Sequence, residues 1–204
     1  MDDTNYRLKR VILKPTARCT ANCRGCALRR SYYNSLSERR TLSISEWRTV
    51  LHDARSLGAE ALVISGGEPT LYDHLHDLIY EASSLGFHVT LNTNGSAIDP
   101  QYAEHLIQTG LNGVLISLYS DKPEVHNTIR RNPKLWQQAC ESIRMYARFK
   151  CKYQGFRLRT QLIILRENYR TLDEIVRFHM SLGSDEVAVS YLEGDFERKN
   201  ILTA

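Results

Sequence analysis

Three thiols fall within eight residues at Cys19-Thr20-Ala21-Asn22-Cys23-Arg24-Gly25-Cys26, a C-x3-C-x2-C spacing. Side chains on one tight loop can converge on a single metal centre. A four-iron, four-sulfur cube held by three thiolates keeps one iron without a protein ligand, open to a small molecule. A closed structural zinc site takes four protein ligands. The loop has no fourth Cys or His, and the nearest His, His52, sits inside a predicted helix. The spacing favours a cluster; a zinc loop completed by a distant ligand and three unrelated thiols are the competing readings.

A second stretch with chemical content is Ser65-Gly66-Gly67-Glu68-Pro69-Thr70. Two glycines let the backbone come close to a ligand, Glu68 supplies an acceptor and Pro69 fixes the chain's exit. Alone, this is a turn. Thr93-Asn94-Gly95 is another turn signal, since Asn-Gly favours positive φ. Further on, Arg157, Arg159 and Gln161 alternate onto one strand face. Polar groups turned into a barrel are costly without partners, so these residues either line a cavity or mark an exposed edge.

The elements that position these residues repeat. Arg10 to Lys14 is a short apolar run before Pro15, with the Cys loop directly after it. Ser43-Ile44-Ser45-Glu46 fits a capping box opening a helix to about Leu57, with Ile44, Trp47, Val50, Leu51 and Ala54 on one face. Gly58, Gly86, Gly110 and Gly183 then each separate a helical pattern from a β-branched run. Strands are predicted at 10–14, 61–65, 87–93, 113–119, 157–165 and 186–191, and helices at 44–57, 73–85, 100–109, 133–149 and 171–182. Alternating strands and helices imply a parallel sheet with right-handed crossovers. The nearly continuous apolar runs predict strands covered on both faces. A closed eight-stranded barrel takes about 250 residues, so the chain is expected to be α/β, a partial six-unit TIM-like barrel, with an open doubly wound sheet as competitor. Either places ligands at the strands' C-terminal ends, where the Cys loop lies.

The composition, 204 residues with 42% hydrophobic and 25% charged, suits one globular domain. No run approaches a membrane span, and the N-terminus has no secretory apolar region. Five Cys, three of them clustered, point to the reducing cytoplasm rather than a disulfide scaffold. Cys140 and Cys151 are eleven residues apart, about three helical turns, a spacing that suits one helix face, and they read as small buried hydrophobes. Residues 1–48 carry a net +7 and the remainder −3 (sixteen basic, nineteen acidic). Arg18, Arg24, Arg29, Arg30, Arg39 and Arg40 surround the Cys loop, a field suited to thiolates, an anionic substrate or an acidic donor protein. Nucleic acid is disfavoured by the mildly acidic remainder. Thr203 reads as an N-cap, so residues 193–204 are expected to begin a C-terminal extension beyond a core of residues 1–192.

Taken together, C-x3-C-x2-C after strand 1 and Gly-Gly-Glu-Pro after strand 2 resemble the radical S-adenosylmethionine (SAM) superfamily over about residues 10–192. The resemblance implies that Cys19, Cys23 and Cys26 bind a [4Fe–4S] cluster whose open iron is chelated by SAM. It implies reductive cleavage of SAM to a 5′-deoxyadenosyl radical that takes a hydrogen atom from a substrate. By the same resemblance Gly66, Gly67 and Glu68, followed by Pro69, hold the methionine ammonium, and Asn94 belongs to a frequent Thr-Asn-Gly. In similar enzymes a Ser at the position of Ser117 approaches the SAM ribose or carboxylate; Arg130 is a candidate partner for a carboxylate, with a surface position as the alternative, and Gln161 is the candidate cavity residue of its strand face. Ser117-Leu118-Tyr119-Ser120 with His126-Asn127-x-x-Arg130 is similar to a stretch of enzymes with SPASM or twitch auxiliary-cluster domains, and MoaA-like enzymes are related. That leans toward a peptide substrate, with a sugar or nucleoside as alternative and a zinc or redox-sensing module as a reading of another class. Flavodoxin or ferredoxin is the implied electron donor. One departure is Gly25, where the family often has an aromatic residue against adenine; Tyr32 and Tyr33 are close in sequence, and Glu193 is predicted at the tip of strand 6.

Overall fold

The protein is described here by a computed structural model covering residues 7–26, 42–96 and 98–191. Six strands are present: β1 Arg10–Leu13, β2 Ala61–Ile64, β3 His88–Thr93, β4 Leu111–Ser117, β5 Arg157–Ile164 and β6 Glu186–Tyr191. They form one sheet in the order β1-β2-β3-β4-β5-β6, every neighbouring pair parallel. That order settles the architecture. A doubly wound sheet needs a reversal of strand order, with helices on both faces. Strands added one after another in the same direction put all right-handed crossovers on one face, and the sheet curls into a half-barrel.

The helices are α1 Ile44–Ser56, α2 Leu75–Ser84, α3 Pro100–Thr109, α4 Pro123–Arg130, α5 Leu135–Lys152 and α6 Leu172–Ser181. The capping box of α1 is formed: Ser43 Oγ accepts from Glu46 N, and Glu46 Oε2 accepts from Ser43 N at 2.7 Å. The four helix-to-strand glycines all take positive φ. The outer face of the sheet buries Leu62, Ile64, Val89, Leu91, Val114, Ile116 and Leu158 against Leu51, Leu75, Leu78, Ile79, Leu106, Ile143 and Tyr146 of the helices.

The inner face differs from the expectation of strands covered on both sides. It carries Thr90, Asn92, Arg159 and Gln161 beside Ile12, which is 58% exposed, and it lines cavities rather than a second packed layer. Strand β5 lies between β4 and β6, so its alternating polar residues are not those of an edge. Helix α4 is missing from the predicted elements. Its buried residues are His126, Ile129 and Arg130, so polar side chains interrupt the apolar periodicity that would have signalled it. Cys140 is buried as expected. Cys151, in the last turn of α5, is exposed, although Phe149 and Tyr153 on either side of it pack against the core. No helix among the described residues is long and apolar enough to cross a membrane.

Candidate active site

The Cys loop crosses the C-terminal end of the sheet, and backbone bonds fix it on two sides. On one side Gly67 N donates to Thr16 O (2.9 Å) and Glu68 N to Arg18 O (2.7 Å). On the other, Asn22 N and Arg24 N donate to Arg130 O and Ile129 O, the last carbonyls of α4. These carbonyls have no partner within their own helix. The helix that the sequence hid therefore holds the loop that the sequence showed. Asn132 Nδ2 adds a bond to Thr20 O at 3.0 Å.

The two glycines of the second motif serve this contact. A Cβ on Gly66 would lie 2.6 Å from Thr16 O, and one on Gly67 would lie 2.2 Å from Arg18 O and 2.6 Å from Ala17 O. The backbone they approach is that of the Cys loop, and both glycines also face the cavity beside it. Glu68 is fully buried. Its Oε1 accepts from Thr93 Oγ1 (2.7 Å) and from Thr70 N and Oγ1 (3.2 and 2.9 Å), and its Oε2 accepts from Asn94 N (2.7 Å). The carboxylate thus ties the tips of β2 and β3 together. Asn94 Nδ2 reaches back to Thr20 Oγ1 at 3.0 Å and lies 3.7 Å from Cys19 Sγ.

These contacts enclose a cavity of ≈ 260 Å³ lined by Cys19, Cys23 and Cys26. Gly66, Gly67, Asn94, Ser117, Arg130 and Gln161 share its wall with Tyr119, Ile129 and Leu165. Glu68 and Pro69 lie behind this wall, Pro69 buried at the start of a short 3-10 turn. Of the loop arginines, Arg18 is bound to Leu71 O and Asp73, and Arg24 pairs with Glu167. Arg29, Arg30, Arg39 and Arg40 lie outside the described residues, as do Tyr32, Tyr33 and Glu193.

Arg130 is the distinctive charge. It is 6% exposed, its Nε has no hydrogen-bond partner, and its guanidinium lies 4.8 Å over the Tyr119 ring. No carboxylate among the described residues pairs with it. A buried cation with no counter-charge is strongly destabilising, so the cavity is built for something negative. Burial pushes the Cys23 thiol up, and the Arg130 charge opposes that shift. Burial raises the Tyr119 phenol as well. His126, also buried, accepts from Tyr119 N through Nδ1 at 3.0 Å. Its pKa falls to about 3, chiefly by burial and then by the neighbouring Arg130 charge, so it stays neutral.

Comparison with known proteins decides the family. The sequence matches the radical SAM superfamily over residues 13–179. The chain belongs to that superfamily. Streptococcus suis SuiB bound to S-adenosylmethionine is similar in structure, with a TM-score of 0.78 at 20% identity, over 98% of this chain and 44% of SuiB. An AdoMet-bound anSMEcpe gives 0.73 at 16% identity, over 96% of this chain and 56% of that one. TYW1 with a lysine–pyruvate adduct gives 0.64 at 14% identity, over 95% and 68%. At these identities the likeness is one of fold, and the chain spans about half or less of SuiB and anSMEcpe.

Radical SAM proteins use a [4Fe–4S] cluster and SAM, and the donor set here fits both. Three thiols spread around one cavity suit a cube, which takes one thiolate to each of three irons. Cluster thiolates and the SAM carboxylate are anionic, which answers the uncompensated Arg130.

Sequence reasoning missed two residues at this site. Glu167 fixes Arg24 of the Cys loop from 143 positions away. Asn168, buried, donates to Tyr119 O (2.8 Å) and Ile163 O (2.9 Å) while accepting from Leu165 N (2.7 Å), which joins the ends of β4 and β5. Neither lies in a motif; only the pairing of β4 with β5 brings them there.

Proposed function

We propose that Cys19, Cys23 and Cys26 hold the cluster and that Gly66, Gly67, Asn94, Ser117, Arg130 and Gln161 bind SAM beside it, for hydrogen-atom abstraction from a peptide. The observation that carries this reading is three thiols sharing one cavity with a buried guanidinium that lacks a counter-charge. When bound, cluster and SAM supply one-electron reductive cleavage to methionine and a 5′-deoxyadenosyl radical.

The chain's own residues do the rest. The α4 carbonyls and the Gly66–Gly67 crossing hold the loop in one conformation, so the thiols are presented without reorganisation. Arg130 offers N–H donors to a carboxylate in a water-poor setting, where a charge-assisted bond is strong. Ser117 and Gln161, opposite one another on β4 and β5, offer a hydroxyl and an amide to a polar ligand. Glu68 and Pro69 act from behind, by fixing the β2 and β3 tips. Tyr119, Ile129 and Leu165 form an apolar shelf that excludes water from the reacting region.

A peptide substrate is supported by the Ser117–Arg130 stretch and by the likeness of fold to SuiB, solved with its precursor peptide SuiA, and to anSMEcpe, solved with Cp18Cys peptide. An acidic flavodoxin or ferredoxin suits the basic N-terminal quarter, and charge reversal at Arg29 and Arg30 should slow reduction at low salt. Anaerobic reconstitution tests the whole reading. The expected result is a brown protein that forms 5′-deoxyadenosine from SAM under reductant. A colourless zinc protein, or a brown one that leaves SAM intact, would reject it.

A further inference from the structure

A second cavity of ≈ 550 Å³ lies on the inner face of the sheet, toward the N-terminal ends of the strands. It shares Asn92 with the cysteine cavity, so the two are neighbouring parts of one trough. Arg10 from β1 lines it together with Arg157 and Arg159 from β5. Strand register sets the spacing. Gln161 lies opposite Ser117 in the row that lines the cysteine cavity, and Arg159 lies opposite Leu115, two residues lower. At 3.3 Å per residue that is about 7 Å along the strand.

None of the three guanidiniums makes a hydrogen bond or ion pair with a described residue. Two carboxylates, Asp185 and Glu186, line the cavity with them, so three guanidiniums face two carboxylates. Asp185 accepts from Lys150 Nζ at 2.6 Å and from Leu158 N at 2.9 Å, and the Arg157 charge also attracts it. Glu186, opposite Arg159 in the register, forms no ion pair among the described residues. Solvated surface arginines usually fan outward over a convex face. These three line one concavity, whose low-dielectric walls focus their field. Each carries five N–H donors in a planar fork matched to an oxyanion.

We propose that this trough recognises an anionic group of the substrate, a carboxylate or phosphate held by Arg10, Arg157 and Arg159, while the remainder extends past Asn92 toward the cysteine cavity. The proposal rests on the radical SAM reading above for what happens at that upper end, and it adds the class of substrate.

Calorimetric titration of the full chain in low-salt buffer tests it, with triglutamate and glucose 6-phosphate as probes and triglutamine and glucose as neutral counterparts. At least one anion binds, and binds more tightly than its neutral counterpart. The tighter of the two names the source, a carboxylate-bearing peptide or a phosphorylated small molecule. Arg159→Gln weakens binding about tenfold, the loss of one charge-assisted contact, and the triple Arg10, Arg157, Arg159→Gln variant abolishes it. Arg10→Gln, at an exposed position, gives the same reading without risk to the fold. Arg170→Gln, outside the trough, leaves the affinity unchanged. Equal binding of anion and neutral probe, or wild-type affinity in the triple variant, overturns the proposal. The titration needs no turnover. Failure of the reconstituted protein to cleave SAM would count against the parent reading alone.

Discussion

Replacing Glu68 by Ala is expected to cost the chain a large share of its stability, for reasons visible in its contacts. The residue is fully buried, and its carboxylate accepts from Thr93 Oγ1 and Asn94 N on the β3 tip and from Thr70 beyond β2. Truncation leaves the Thr93 hydroxyl and the Asn94 N–H buried without an acceptor. At about 1.5–3 kcal/mol for each bond to a charged group, the two cross-strand contacts amount to roughly 3–6 kcal/mol. A domain's total is about 5–15 kcal/mol. Glu68→Gln keeps the shape and can keep its carbonyl toward Asn94 N, but it turns an NH2 toward Thr70 N, so about 1–3 kcal/mol is expected. Urea unfolding of the cluster-free chain measures this. With a slope near 2 kcal/mol/M, a loss of 4 kcal/mol moves the midpoint by about 2 M. Pairing Glu68→Gln with Thr93→Val in a double-mutant cycle should give a coupling of about 1–2 kcal/mol. A midpoint for Glu68→Ala within about 0.3 M of wild type would show that the carboxylate is not a structural tie, and its role would then lie toward a bound ligand.

Gly67→Ala drives a methyl into Arg18 O and Ala17 O, so the Cys loop must shift; expected are a loss of about 1–3 kcal/mol and a sharp fall in iron bound after reconstitution, read by colorimetric iron assay. Mutating Cys19, Cys23 or Cys26 to Ala should remove bound iron and 5′-deoxyadenosine formation together, whereas Cys140→Ala and Cys151→Ala should leave iron content unchanged; iron that persists without the three loop thiols would refute the site. His126 and His179 have folded pKa values lowered to about 3 and about 4, with burial the first cause of each. The unfolded chain therefore binds more protons below the ordinary value of 6.5, and stability falls as pH drops from there toward those values. Each buried His adds a slope of about 1.4 kcal/mol per pH unit in that window. His126→Asn, which can still accept from Tyr119 N, should remove one such slope between pH 6 and pH 4.5, and an unchanged pH profile of urea midpoints would refute the neutral, buried assignment.

Much of the fold was legible in the sequence because its signals are local. The capping box at Ser43 and Glu46 and the glycine before β2, β3, β4 and β6 each act within a few residues, and each formed as read. Boundaries drifted where a local signal was shared. Strand β4 runs Leu111–Ser117 rather than 113–119, so Tyr119 lies past its end, at the cavity wall. Helix α4 escaped because its buried face is built from His126 and Arg130, residues placed for the site rather than for an apolar stripe. The likeness of Cys140 to Cys151 held on the helical wheel and failed in space, since burial depends on what packs against each turn.

The sequence by itself determined the three-thiol loop, the Gly-Gly-Glu-Pro turn, the strand–helix repeat and, through them, the family, because residue types at short spacing suffice for each. Tertiary structure alone decided which way the parts work. Gly66 and Gly67 give passage to the Cys loop, Glu68 ties two strand tips, and the C-terminal end of α4 anchors the loop. It also decided that Arg130 faces the thiols without a counter-charge, and that Arg10 meets Arg157 and Arg159 across the curled sheet. The physical reason is one of range. Spacing along the chain governs which groups a turn or helix can align, while charge balance and close contact depend on segments far apart in sequence that the parallel sheet alone brings together.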